Sequence, residues 1–179
     1  MNIGLYFGSF NPLHIGHISI CHYLLKATNI DQLRLVVSPQ NPLKDQSNTI
    51  NANERLQYVK EAIKKSSFGR KVVVSDIEFK MTPPLYTINT LNKLRYEEPN
   101  NRFILIIGAD NLAIIEKWHK WEELLQDFPV WVYPRNNFKT EELCNKYKCQ
   151  ILHAPLIEIS STKIRAAEEA GIDMSNYKA

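Results

Sequence analysis

The 179-residue sequence predicts a single α/β domain built on a doubly wound parallel sheet, with helices on both faces. Three observations lead there. Short apolar runs recur at Ile3–Phe7, Leu33–Ser38, Val72–Ser75, Phe103–Ile107 and Val130–Tyr133, each of strand length. Segments with helical period separate them, so strands alternate with helices throughout and right-handed crossovers follow. Two of the strands, the first and the one over Phe103–Ile107, run into a glycine, Gly8 and Gly108, and then a helix. No internal repeat, low-complexity tract or linker interrupts residues 1–179, so one Rossmann-like domain is expected.

Composition sets the outer limits. A net charge of +3, with lysines and arginines spread along the chain, gives no nucleic-acid footprint. No apolar stretch approaches membrane-spanning length, and no signal peptide is evident. Cys21, Cys144 and Cys149 are odd in number and form no Cys-x-x-Cys pair, which fits thiols used as fillers in a reducing cytoplasm.

The first element carries the densest information. After the strand comes Gly8-Ser9-Phe10-Asn11-Pro12-Leu13-His14-Ile15-Gly16-His17, and then a helix with Ile18, Cys21 and Leu25 on one face. Gly8 is expected to let the backbone turn and approach a ligand, and the helix start offers N–H groups and positive dipole to an anion. His14 and His17, three apart, can face the same side. They lack the carboxylate or cysteine partners of a zinc site, so no metal site is expected.

The second strand ends in Pro39-Gln40-Asn41-Pro42-Leu43-Lys44, a loop that places Lys44 beyond the strand's carboxyl end, where ligands gather in open α/β sheets. Asn51 or Asn53 can cap the next helix, which runs to about Ser67 with Leu56, Val59 and Ile63 on one face. Arg55 in its first turn opposes the dipole; it is either held by an anion or a surface residue. Residues 76–84 read as irregular. Tyr86-Thr87 opens a helix that buries Ile88, Leu91 and Leu94, with Thr87 a possible N-cap. The most apolar strand, over Phe103–Ile107, is expected to be central. Beyond it Asp110 is either a cap or a residue facing a ligand. Of Trp118 and Trp121, one is expected in the core and the other as a platform for a flat ligand. Arg135 follows the fifth strand at the same sheet edge. A short helix near Glu141–Tyr147 and a strand near Gln150–His153 lead to Ile159-Ser160-Ser161-Thr162-Lys163-Ile164-Arg165. Three hydroxyls are more than one cap needs, so they and Arg165 also suggest a phosphate site.

These residues carry a resemblance. The segment Gly8 to His17 resembles the N-terminal signature of the nucleotidyltransferase superfamily, whose HxGH motif binds ATP phosphates. Tyr86-Thr87-Ile88-Asn89-Thr90-Leu91 resembles SYTxxTL. Ile107-Gly108-Ala109-Asp110-Asn111 followed by Trp118-His119-Lys120-Trp121 resembles GxDN followed by WxxW, and Ile159 to Arg165 matches ISSTxIR. The set and order resemble the bacterial nicotinate-nucleotide adenylyltransferase family, of NAD biosynthesis, from Gly8 to Arg165. Leu85 departs from the family's usual Ser and Leu43 from its usual His. The chain also ends at Ala179, where relatives usually continue through a further helix, so it reads as a short or truncated version.

The resemblance implies transfer of the adenylyl group of ATP to nicotinate mononucleotide, releasing pyrophosphate. It implies a catalytic set of His14, His17, Lys44 and Arg165. ATP is implied on Gly8, Ser9, Phe10, both histidines, Gly108, Asp110, Ser161, Thr162 and Arg165. The mononucleotide is implied on Lys44, Thr87, Trp118 and Arg135. Mg²⁺ is expected to arrive with ATP, with no protein cage. A nicotinamide-directed enzyme, a non-catalytic nucleotide-binding module and a fragment of a tRNA synthetase are the rival readings.

Overall fold

The computed structural model describes residues 1–39, 51–156 and 159–179. Lys44 and Leu43, both singled out above, lie outside the described residues.

The apolar runs form strands β1 (Asn2–Gly8), β2 (Gln32–Val37), β3 (Val72–Ser75), β4 (Arg102–Gly108), β5 (Val130–Tyr133) and β6 (Gln150–Ile151). They make one six-stranded sheet in the order β3-β2-β1-β4-β5-β6, with every adjacent pair parallel. This is the expected architecture, and β4 is central as its composition suggests. The last strand is shorter than expected. Leu152 N still donates to Val132 O at 2.8 Å, but β5 runs into Pro134, which has no N–H for the ladder.

Alternate residues of each strand enter two cores. Leu33, Leu35, Ile104 and Ile106 point to one face, where Cys21 and Leu24 of α1 (Ile15–Ala27) and Leu56 and Val59 of α2 (Ala52–Lys65) meet them. Leu5, Val36, Leu105 and Ile107 point to the other. There they meet Ile88 and Leu91 of α3 (Thr87–Glu97), Leu112 of α4 (Ala109–Ala113) and Leu124 of α5 (Trp121–Asp127). Cys144 of α6 (Thr140–Tyr147) lies on the same face, and α7 (Ser161–Glu169) closes the described chain's helices. The face of α1 is rotated slightly from its expected one: Ile20, Cys21 and Leu24 are fully buried, with Ile18 and Leu25 only partly so. Leu85, the departure from the family's serine, is 6 % exposed and packs inside. Of the two candidate caps for α2, Asn51 does the work, accepting from Asn53 N at 2.9 Å.

From β1 the chain winds outward to β2 and β3; from β4 it winds the other way to β5 and β6. The connections after β1 and β4 therefore diverge, opening a crevice at the carboxyl ends of the two central strands.

Candidate active site

β1 does not turn at Gly8. Gly8 stays in register opposite Val37, and the left-handed residue is Phe10, at φ 48°. The glycine answers a different need, because a Cβ at position 8 would lie 3.1 Å from the Phe10 ring. That ring folds back over the strand end, 2 % exposed, edge-on to Tyr6 and His17. Asn11–Pro12 is a cis peptide.

The loop delivers His14 to the N-cap of α1, where serine or aspartate would be usual. Its Nδ1 accepts from Gly16 N at 3.0 Å, and His17 Nδ1 accepts from His14 N at 3.1 Å. This is a capping box written in imidazoles. The rings stack with centroids 3.7 Å apart. Gly16 leaves room for the ring: a Cβ there would come within 2.9 Å of His14 Cε1, and something would have to shift. With both Nδ1 atoms accepting, the proton of each neutral ring sits on Nε2. His14 is 4 % exposed, and burial together with the Arg135 charge brings its pKa down to about 4. At neutral pH it is an uncharged N–H donor.

A cavity of about 380 Å³ opens beside the pair. Gly8, Ser9, Phe10, His14 and His17 line one side, and Asp110, Arg135, Ser161, Thr162 and Arg165 line the other. Gly108 is absent from that lining, although its neighbour two residues on is present. Asp110 makes no cap bond at α4; its carboxylate stands 3.9 Å from Arg135 Nε on the same wall.

The three hydroxyls at the start of α7 divide their labour instead of converging. Ser160 caps, accepting from Lys163 N at 3.1 Å. Ser161 Oγ donates to Pro12 O at 2.8 Å. Thr162 Oγ1 accepts a long bond from Arg165 Nη2. Arg165 Nη1 donates to Asn11 O. The start of α7 is thereby stitched to the loop after β1.

A model of the cytidylyltransferase-like family matches residues 5–167. A Flavobacterium johnsoniae protein named a probable nicotinate-nucleotide adenylyltransferase is 42 % identical over 173 residues, covering 96 % of this chain and 88 % of the relative. A Flavobacterium psychrophilum protein of the same name is 44 % identical over 167 residues, covering 92 % and 85 %. The chain belongs to the nicotinate-nucleotide adenylyltransferase family. Its fold agrees with the solved Plasmodium falciparum nicotinic acid mononucleotide adenylyltransferase complexed with NaAD. The TM-score there is 0.80 at 23 % identity, over 98 % of this chain and 87 % of that one.

In this adenylyltransferase-family chain Thr87 and Trp118 stand apart from the cavity lining. Thr87 is the first residue of α3 and not its cap; Tyr86 holds that place without a side-chain bond. The Tyr86 ring stacks on His119 at 4.3 Å, which joins the start of α3 to the segment carrying Trp118. Neither tryptophan is wholly in the core. Trp118 and Trp121 are both partly buried against the β4 side, and Trp118 Nε1 is buried with no hydrogen-bond partner among the described residues.

Two tyrosines that no sequence motif marks also line the cavity. Tyr6 and Tyr133 bring their hydroxyls within 3.5 Å of each other. Burial and their mutual proximity hold the Tyr6 phenol well above its ordinary pKa, and burial raises Tyr133, so both remain protonated. Both lie near the carboxyl ends of strands, a position that could have flagged them. Arg55 is not the surface residue that one of its two expected settings made it. It is 3 % exposed and grips the backbone carbonyls of Ser9, Ser38 and Pro39. Among the described residues no cluster of three or more His, Cys, Asp or Glu could hold a metal ion, and no helix is long and apolar enough to cross a membrane.

Proposed function

We propose that this family member joins ATP and nicotinate mononucleotide into deamido-NAD and pyrophosphate in the cavity between α1, α4 and α7. The observation that carries the reading is the locked imidazole pair, with Nδ1 of each ring occupied and His14 neutral, beside Arg135 and Arg165.

A phosphate oxygen of the mononucleotide attacks the α-phosphorus of ATP in line. The new P–O bond forms as the bond to the bridging α,β-oxygen breaks, and pyrophosphate leaves with that electron pair. No covalent intermediate with the protein is needed, so the protein contributes positioning and charge stabilisation. His14 and His17 offer Nε2–H to the transferring phosphoryl oxygens. Thr162, Arg165 and the N–H groups at the start of α7 receive the departing pyrophosphate. Arg135 balances charge across the crevice. Asp110, an acceptor, suits the hydroxyls of the adenosine. The substrate is taken as MgATP, the ion remaining on the nucleotide's oxygens. The Thr87–Trp118 region is assigned to the pyridine ring, where donors at the start of α3 favour a carboxylate over a carboxamide.

The test is steady-state turnover of MgATP with each mononucleotide, read as pyrophosphate release. Nicotinate mononucleotide should be preferred in kcat/KM by about a hundredfold or more. Equal values would overturn the substrate assignment, and absence of pyrophosphate release would overturn the reaction.

A further inference from the structure

The loop after β1 has an unusual accounting of its carbonyl oxygens. Gly8 O accepts from Ser38 N at 2.9 Å and Leu13 O from Ala179 N at 3.0 Å. Asn11 O takes Arg165 Nη1 and Pro12 O takes Ser161 Oγ. Ser9 O takes Arg55 Nη1 at 2.7 Å. Each of these acceptors is drawn onto a donor of the surrounding protein.

Arg55 spreads further. The same Nη1 reaches Ser38 O at 3.1 Å, and Nη2 reaches Pro39 O at 3.1 Å. One guanidinium therefore ties the loop after β1 to the end of β2, from a seat in the first turn of α2. That seat opposes the helix dipole, and burial disfavours the charge further. Carbonyl oxygens from two other strand ends offset both costs.

We propose that Arg55 is a positioning residue for phosphate binding: by holding the Ser9 carbonyl away from the cavity, it turns the Phe10 N–H toward the incoming anion. The geometry follows from the planar peptide, in which N–H and C=O point in opposite directions. Arg55 does not line the cavity, whereas Ser9 and Phe10 do. A Ser9 carbonyl released from Arg55 could swing toward the cavity and present a negative dipole end to a phosphate. The proposal rests on the reading that this cavity takes nucleotide phosphates.

The experiment uses inorganic pyrophosphate as the probe, with Arg55→Lys, which keeps the charge but cannot fork across the three carbonyls, and Arg55→Gln, which loses the charge. Pyrophosphate affinity is measured by calorimetry, and backbone amide exchange by NMR. For Arg55→Lys, affinity should fall by about tenfold or more. Exchange at Ser9 and Phe10 should quicken while β4 and α7 stay as protected as before. In the unmutated protein, pyrophosphate should slow exchange at Phe10. A folded Arg55→Lys with unchanged affinity overturns the proposal, as does weakening accompanied by faster exchange across the whole sheet. If both variants fail to fold, a Phe10 amide that pyrophosphate leaves unprotected in the unmutated protein overturns it, and protection there supports it. None of these readouts needs turnover. A protein that did not join ATP to nicotinate mononucleotide would sink the functional reading while leaving the Arg55 result intact.

Discussion

β1 and β4 lie side by side, and each runs into a glycine followed by a helix. In the first unit six residues separate Gly8 from Ile15, where a helix of 13 residues begins; in the second, a helix of five residues starts directly at Ala109. Both glycines leave room for the side chain two positions on. Beside Gly8 that is the Phe10 ring; beside Gly108 it is the Asp110 carboxylate, 2.4 Å from where a Cβ would stand. The longer connection has space to seat two imidazoles and to hand its carbonyls to outside donors. The shorter one has no side-chain cap and presents a carboxylate. One sheet edge thus carries a donor-rich half suited to phosphates and an acceptor half suited to hydroxyls. The same backbone pattern yields both, and loop length decides between them.

The comparison breaks first at His17. Replacing it by Ala removes a donor from the first unit, and kcat should fall by about a hundredfold or more, roughly 3 kcal/mol, with little change in ATP binding. A folded variant with near-normal kcat would show that the ring only caps α1. Next comes pH. His14 keeps its neutral form when folded until about pH 4, whereas the unfolded chain takes that proton near the ordinary histidine value of about 6.5. Above that value the group adds nothing to the pH dependence. As pH falls from about 6.5 to about 4 it withdraws stability, up to about 3 kcal/mol. His14→Asn keeps a capping side chain and should flatten that part of the profile; urea titrations at several pH values would reveal an unchanged slope if the assignment is wrong. Arg165→Ala should raise the KM for ATP and weaken pyrophosphate inhibition by about 1.5–3 kcal/mol, and unchanged constants would leave Arg165 only as a brace for the Asn11 carbonyl. Asp110→Asn, in the second unit, should give the smallest effect. About 1 kcal/mol should appear in the KM for ATP, with kcat nearly kept. A kcat loss equal to that of His17→Ala would erase the division between the two units.

Much of this was legible beforehand because it rests on local pattern. Five apolar runs and their helical spacers were enough for the sheet, and the spacing of His14 and His17 for their shared side. What escaped was decided by contacts distant in sequence. The burial of Arg55 depends on Ser9, Ser38 and Pro39 arriving from two strand ends. The partition of Ser160, Ser161 and Thr162 depends on a loop about 150 residues away, since Ser161 meets Pro12. Local pattern points to Gly8 for the turn because a left-handed conformation comes most easily to glycine, yet Phe10 makes it, pinned by its ring packing on Tyr6 and His17. Trp118 and Trp121 are both half-buried because each packs on the edge of the core on the β4 side, Trp121 edge-on to Tyr147 of α6, which no local spacing encodes.

The seat that Gly16 leaves for the His14 ring also limits how this protein can change over generations. Any substitution at position 16 adds at least a methyl group at a point 2.9 Å from that ring, so the ring or the backbone must give way. Positions 14 and 16 are therefore coupled: a change at one alters what the other can hold.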